Sequence, residues 1–439
     1  MTSEFSPRFP DIVLPHLENV VIPPFVRVRL RQPEIDPLPD TAAAVTQALT
    51  ESAGLFDLAP GASVAVAVGS RGVASIDVIA RAAVDWLKAR GFQPFIVPGM
   101  GSHGGGTAEG QAAVLAALGV SAETMGCPVR ATMETVTYGQ IEGGQTCHFD
   151  ANAAAADGVL VINRVKAHTS FERPVESGLT KMLAVGLGKA EGARQVHVIG
   201  PRGLADVLPK LAARIVERAP LVAGIAVVEN AHKEICHVEI AAPRDFYAVD
   251  ERLLVMAKGA MARLPFKQID GLIVEEVGKE ISGAGIDSAI SGRTDIRGVD
   301  NPAEPFVHKI VVLGLSARTA GNGLGVGMGD YIPRRAAESL DLKAMYMNAV
   351  SATILEKAFI PIVLPDDLAC IRALVATAWS AGPSRLCQIR SSAHLDWIRV
   401  TAPLLEELRA ADLVLEEDPS EDLRFDEAGT LVSRLGEGA

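Results

Sequence analysis

One stretch of the sequence concentrates the residue types that do chemistry near neutral pH. It reads Asn163-Arg-Val-Lys-Ala-His168-Thr, then Glu176-Ser-Gly178-Leu-Thr-Lys181-Met-Leu-Ala-Val-Gly186-Leu-Gly188-Lys189, and ends at His197. Imidazole transfers protons in this pH range and is the usual nitrogen ligand for borderline metals. A lysine amine can form a covalent bond to a cofactor. Glycines let the backbone approach a flat or phosphorylated ligand closely. Upstream, Gly69-Ser70-Arg71-Gly72 offers a guanidinium beside a tight turn, and Pro98-Gly-Met-Gly101-Ser102-His103-Gly-Gly-Gly106 offers a third imidazole. Taken singly, each of these is more often structural than catalytic: a hydrogen-bonded histidine, a surface lysine, a Gly-rich turn before a helix. Common motifs are missing: there is no HExxH, no GxSxG elbow, no Walker loop and no clean GxGxxG with a downstream acid.

These residues sit where an α/β chain gathers its ligands. Ser63–Val68 is a short apolar run that leads straight into the Arg71 turn. A helical pattern covers Ala74 to Ala89, and Phe95–Val97 leads into the His103 turn. Thr107 then reads as the N-cap of a helix to about Leu118. Gly158–Ile162 precedes the His168 stretch, and Leu221–Val228 is another buried strand. Strands alternating with helices imply right-handed βαβ units and a mostly parallel sheet, with ligands at the carboxyl ends of its strands.

The second half repeats the style. Gly271–Val274, Lys309–Gly314 and Ile360–Leu364 read as strands, with helices over about Arg334–Leu342, Lys343–Lys357 and Asp366–Ala378. The expectation is therefore an α/β fold of two domains with mostly parallel sheets, 1–262 carrying catalysis and cofactor and 263–439 closing an active site in the cleft between them. Residues 1–40 are Pro-rich and read as an extended arm with one strand near Val20–Val28; the acidic tail after Leu415 is expected to pack lightly.

Residues 60–200 resemble the N-terminal domain of the nickel-dependent lactate racemase family. That pattern has an Arg after the first strand, a Gly-Thr-His turn after the second, a later His, a Gly-Gly-x-Lys segment and a final His sixteen residues on. Arg71, Gly101-Ser102-His103, His168, Lys181 and His197 match in order, and Lys181 and His197 are sixteen apart. The resemblance implies a nickel-pincer nucleotide, the nickel complex of pyridinium-3,5-bisthiocarboxylic acid mononucleotide. Lys181 would carry it through a covalent thioamide, with Gly178, Gly186 and Gly188 beside it and His197 as the protein ligand to nickel. His103 and His168 would be an acid/base pair, one on each face of the substrate, and Arg71 would clamp the carboxylate with its fork.

The implied reaction is racemisation or epimerisation of a 2-hydroxy acid. The C–H of such an acid is too weak an acid for removal by imidazole, so a hydride acceptor must act while a histidine takes the hydroxyl proton. In the second half, Glu276-Val-Gly-Lys279-Glu-Ile-Ser282-Gly-Ala-Gly-Ile-Asp287 and Ser291-Gly-Arg293 are similar to the family's cofactor-facing segment. Ser282 and Asp287 are the cofactor contacts expected there, and Lys279 or Arg293 the substrate cation. Gly321–Gly329 reads as a tight turn. The sequence departs from the pattern at Val68, where the family has Asp, and at Ser-Gly-Leu-Thr before Lys181. These changes point away from lactate toward a different or larger hydroxy acid, such as a sugar acid.

Two other readings compete: a non-catalytic carboxylate- or nucleotide-binding protein on the same fold, and a metal hydrolase with His103, His168 and His197 as ligands and Glu172 or Glu176 as base. Composition sets the frame for all three. The 439 residues carry a formal charge of −12, which disfavours general affinity for nucleic acid or acidic membranes. Cys127, Cys147, Cys236, Cys370 and Cys387 are odd in number and lack CxxC spacing, which fits a reducing cytoplasm better than a disulfide framework. No signal peptide and no run of 18 apolar residues is found. The expected partners are a small 2-hydroxy acid, the proteins that build the cofactor and, by default for such enzymes, a second copy in a homodimer.

Overall fold

The computed structural model describes residues 4–69, 73–168, 172–200, 203–380 and 382–436. The chain divides into two compact units: one of residues 33–168 and 172–261, the other of residues 1–32, 169–171 and 262–439. Its strands, in chain order, begin with β1 (Val26–Leu30), β2 (Ser63–Val68), β3 (Gln93–Pro98), β4 (Thr135–Gln140), β5 (Thr146–Asp150), β6 (Gly158–Arg164), β7 (Leu221–Glu229) and β8 (Ile235–Ala241). They continue with β9 (Gln268–Val274), β10 (Phe306–Val312), β11 (Tyr331–Pro333), β12 (Ile362–Leu364), β13 (Leu386–Ser391), β14 (His394–Val400) and β15 (Val414–Glu417).

The 33–261 unit is built on a five-stranded sheet in the order β3-β2-β6-β7-β8. Its first four strands are parallel, and β8 returns antiparallel to β7. The apolar runs dictate this. Ala65 and Ala67 of β2 join one hydrophobic cluster, while Val64, Val66 and Val68 join another on the opposite face. A strand buried on both faces must be apolar throughout, the signature of parallel sheets. The helix Ile76–Ala89 lays Ile79, Ala80, Ala83, Val84 and Leu87 on that second face, in the i, i+3/i+4 pattern of an amphipathic helix. Thr107 caps the helix Ala108–Ala117 by accepting from Gly110 N at 3.1 Å, as its sequence predicts. The antiparallel pair β4-β5 lies outside the main sheet.

The other unit carries an eight-stranded sheet, β12-β11-β10-β9-β13-β14-β1-β15. From β12 to β13 neighbours are parallel; from β13 to β15 they are antiparallel. Both units are thus α/β with mostly parallel sheets.

Four expectations change in this unit, one of them the helix expected over Arg334–Leu342, which ends at Ala337. The arm's strand is Val26–Leu30 rather than Val20–Val28, and it lies inside the sheet between β14 and β15. The helix expected to Lys357 stops at Ser351, because Thr353 takes a φ of +58° that no helix continues through. The acidic tail is firmly held: Leu423, Leu431 and Leu435 are buried, and the Ser433 carbonyl accepts from Gln388 Nε2 at 3.0 Å and Arg399 Nη1 at 2.7 Å. Among the described residues no helix is long and apolar enough to cross a membrane.

Candidate active site

In the 33–261 unit, β3 and β6 flank β2, so the His103 turn and the His168 loop leave the same carboxyl edge of one parallel sheet. Arg71 follows β2 in sequence but lies outside the described residues. Such an edge is where α/β sheets collect ligands.

The His103 turn is anchored from behind. Gly101 N donates to Gly186 O at 3.0 Å. Gln111, fully buried on the helix after the turn, donates through Nε2 to Gly101 O at 2.8 Å and to His103 O at 3.4 Å. His103 itself is half-buried and donates its N–H to Met100 O at 3.1 Å.

The His168 loop is tied by Glu176. The Glu176 side chain is fully buried and accepts from His168 N at 2.6 Å and from Arg173 N at 2.9 Å, with Lys258 Nζ at 2.8 Å. A carboxylate can be buried when it is paired and hydrogen-bonded like this. Glu176 therefore works as a loop staple and is poorly placed as the free base a hydrolase would need. Glu172 is 80 % exposed and lies 3.6 Å from Lys258 Nζ. His168 is half-buried.

The Lys181 segment is bonded to the His103 turn and to the end of β6. Asn163 Nδ2 at the end of β6 donates to Gly178 O at 2.5 Å. The turn Leu179–Lys181 then runs into a π-helical turn, Met182–Gly186, and the helix Lys189–His197. Single π-turns inside helices are uncommon and recur at functional sites. Asp250, from the helix Phe246–Ala260, caps the start of this segment: its carboxylate accepts from Leu179 N at 2.9 Å and Thr180 N at 2.7 Å. Burial pushes the Asp250 carboxyl up to about 7, against the pull of those donors. Lys181 is half-buried, with Nζ 3.3 Å from Glu176 O.

The glycines of this segment have internal reasons. A Cβ on Gly178 would lie 2.0 Å from Asp250 Oδ1, and one on Gly186 would lie 2.5 Å from Met182 Sδ and 2.8 Å from Gly99 O. A Cβ on Gly188 would lie 2.3 Å from Ala184 O. Their smallness serves packing of the segment against Asp250, against the His103 turn and against itself. Lys189 is wholly buried. His197 closes its helix, but its side chain lies outside the described residues.

In the other unit, the predicted positions occupy the loop after β9 and its surroundings. Ser282 N donates to Gly278 O at 3.1 Å and Ser282 O accepts from Gly285 N at 2.7 Å, so the residue shapes the turn. Asp287 caps the short helix Ser288–Ser291 by accepting from Ala289 N at 3.0 Å. Arg293 spends its guanidinium locally: Nη1 on Met328 O at 3.0 Å, Nη2 on His308 O and on Asp330 Oδ2 at 2.8 Å. It latches β10 to the Gly-rich turn before β11. Lys279 is the exposed one of the two cations, bonded to Asn348.

Sequence reasoning missed Asp250 and Gln111 and gave Lys189 no role of its own. One signal was there: Asp250 interrupts the apolar stripe Phe246, Val249, Leu253, Leu254, Ala257. A buried acid on a core-facing stripe needs donors, and the Leu179–Lys181 turn supplies them. Among the described residues no three His, Cys, Asp or Glu side chains gather as a metal cluster.

No family model matches the chain, and no curated protein matches it in sequence. Among solved structures it is similar to a Thermotoga maritima protein from a structural-genomics programme, at 12 % identity over 79 % of this chain and 85 % of that one, with a TM-score of 0.48. It is also similar to the lactate racemase apoprotein of Thermoanaerobacterium thermosaccharolyticum, at 12 % identity over 84 % of this chain and 89 % of that one, with a TM-score of 0.44.

Proposed function

We propose that the protein is an isomerase that racemises or epimerises a 2-hydroxy acid with a nickel-pincer nucleotide. The observation that carries this reading is the sheet edge of the 33–261 unit. It presents two half-buried imidazoles, His103 and His168, on separate loops, and the Lys181 segment is hydrogen-bonded to the His103 turn and to the end of the strand that leads to His168. The donor set suits the group: one half-buried amine to carry it and one histidine, sixteen residues on, to complete a metal whose other donors the pincer brings. Lys181 would hold it covalently and His197 would be the protein ligand. When bound, the group supplies an acceptor for the hydrogen on the substrate's C2.

The chain's own residues do the rest. One of His103 and His168 takes the substrate hydroxyl proton and the other serves the opposite face, so return from either side inverts the centre. Arg71 holds the carboxylate through a bidentate fork. Lys279, exposed where Arg293 is spent, is the second cation proposed for the substrate. The departures at Val68 and before Lys181 favour a substrate larger than lactate, a sugar acid among them. A cytoplasmic location and a homodimer belong to the same proposal.

The test is intact-protein mass and nickel content after co-expression with the enzymes that build the cofactor, followed by a screen of 2-hydroxy acids for loss of optical activity. A mass increment on a peptide containing Lys181, with about one nickel per chain, supports the reading. No increment and no nickel overturns it and leaves a carboxylate-binding protein.

A further inference from the structure

We propose that Lys189 is a positioning residue for His103, acting through Gln111. Lys189 and Asp150 have side chains that are both 0 % exposed, with Nζ 2.7 Å from Asp150 Oδ2. A buried ammonium is costly unless fully paired, and burial does lower the Lys189 pKa against the pull of Asp150. The backbone at Lys189 adds to the cost, with a φ of +54° in the left-handed region that side chains seldom occupy.

A pair with Asp150 alone would neutralise the charge. The ammonium makes two more bonds, and both lead to the His103 turn. It donates to Pro98 O at 2.6 Å, where β3 ends and the turn begins, and to Gln111 Oε1 at 3.1 Å. The second bond decides which way the Gln111 amide faces. Only its oxygen can meet an ammonium, since its NH₂ would set donor against donor. With Oε1 fixed, Nε2 must point the other way, onto Gly101 O and His103 O. One buried cation thereby sets both ends of the turn that presents the His103 imidazole. Asp150 is held in turn by its other oxygen, which accepts from Ala153 N at 2.8 Å.

The functional weight of this arrangement rests on the reading that His103 exchanges a proton with substrate; the test does not. The full chain, ring-labelled at histidine and without cofactor, is titrated by NMR, and the His103 signal is assigned by its loss in His103→Gln. Lys189→Met and Gln111→Leu are each expected to move that signal and to shift its titration midpoint by roughly half a unit or more, within the ~1 unit by which surroundings spread histidine values. His394, in the other unit, is expected to stay put. Lys189→Met leaves Asp150 buried without its cation and can fail to fold; Gln111→Leu keeps the pair and cuts only the tether, so it decides. A folded Gln111→Leu with an unmoved His103 titration overturns the proposal. If Lys181 never loads a cofactor, the racemase reading fails while this result stands.

Discussion

At the scale of single residues, the candidate site divides into groups proposed for chemistry and groups committed to structure. His103 and His168 are half-buried on loops, and Lys181 is half-buried at the end of the helical turn Leu179–Lys181. Glu176, Arg293 and Asp287 are committed to staples, latches and caps. Replacing the first kind should change chemistry and leave the fold. Lys181→Ala should abolish the added mass after co-expression, read on the intact protein. His103→Gln or His168→Gln should keep that mass and lower turnover by roughly 10²–10⁴-fold. Normal turnover in both histidine variants would refute the acid/base assignment. Replacing the second kind should do the reverse. Gly186→Ala forces a methyl to within 2.5 Å of Met182 Sδ, and should destabilise the protein by about 1–3 kcal/mol in a denaturant titration. Cysteine accessibility offers an independent check. Cys127, Cys147, Cys370 and Cys387 are buried with thiols pushed above their ordinary range, Cys147 to about 11. Cys236, less buried although burial pushes its thiol up too, should react faster with a thiol reagent than the other four in the native protein.

At the scale of elements, the Lys181 turn depends on a cap contributed by a distant helix. Folded, Asp250 keeps its proton up to about pH 7; unfolded, it gives the proton up above about 3.8. Between those values the folded state binds more protons, so this group's contribution to stability falls as pH rises from 4 to 7 and is flat above. Its size is of the order of a few kcal/mol, at about 1.4 kcal/mol per unit. Unfolding free energies of the parent and Asp250→Asn, measured across that window, should therefore converge or cross, and a constant difference would disprove the assignment. This is also the scale at which the sequence was most readable. The strand Ser63–Val68 and the helices after Thr107 and Asp366 fall where apolar runs and caps put them. The Asp250 cap was not readable, because its partners lie about 70 positions away in the chain. The same holds for the site: histidine order and the spacing of Lys181 to His197 are sequence facts, while the burial of Lys189 and the commitment of Arg293 arise from packing.

At the scale of the molecule, the two units draw on the chain unequally. The 33–261 unit closes its sheet with nearby segments. The other borrows β1 from the start of the chain, with Val26 opposite Val400 and Val28 opposite Glu417. No local pattern in a Pro-rich arm announces such a partner, which is why the arm read as an extended segment with its strand placed at Val20–Val28. Deleting residues 1–32 should strip amide protection from β13, β14 and β15 in hydrogen exchange, since β1 lies between β14 and β15 with Val28 fully buried. Protection of β2, β6 and β7 should survive. Unchanged protection across β14 would show that the arm is dispensable.

The placement of β1 also imposes an order of events during synthesis. At 5–20 residues per second, a ribosome needs on the order of 20–75 s to pass from Val26 to Val400. The segment that carries His103, His168 and Lys181 emerges and can settle within that interval. β1, with its apolar Val26, Val28 and Leu30, must wait unpaired until β14 and β15 are made. The last pairings of this sheet therefore join β1 to strands made about 370 residues later.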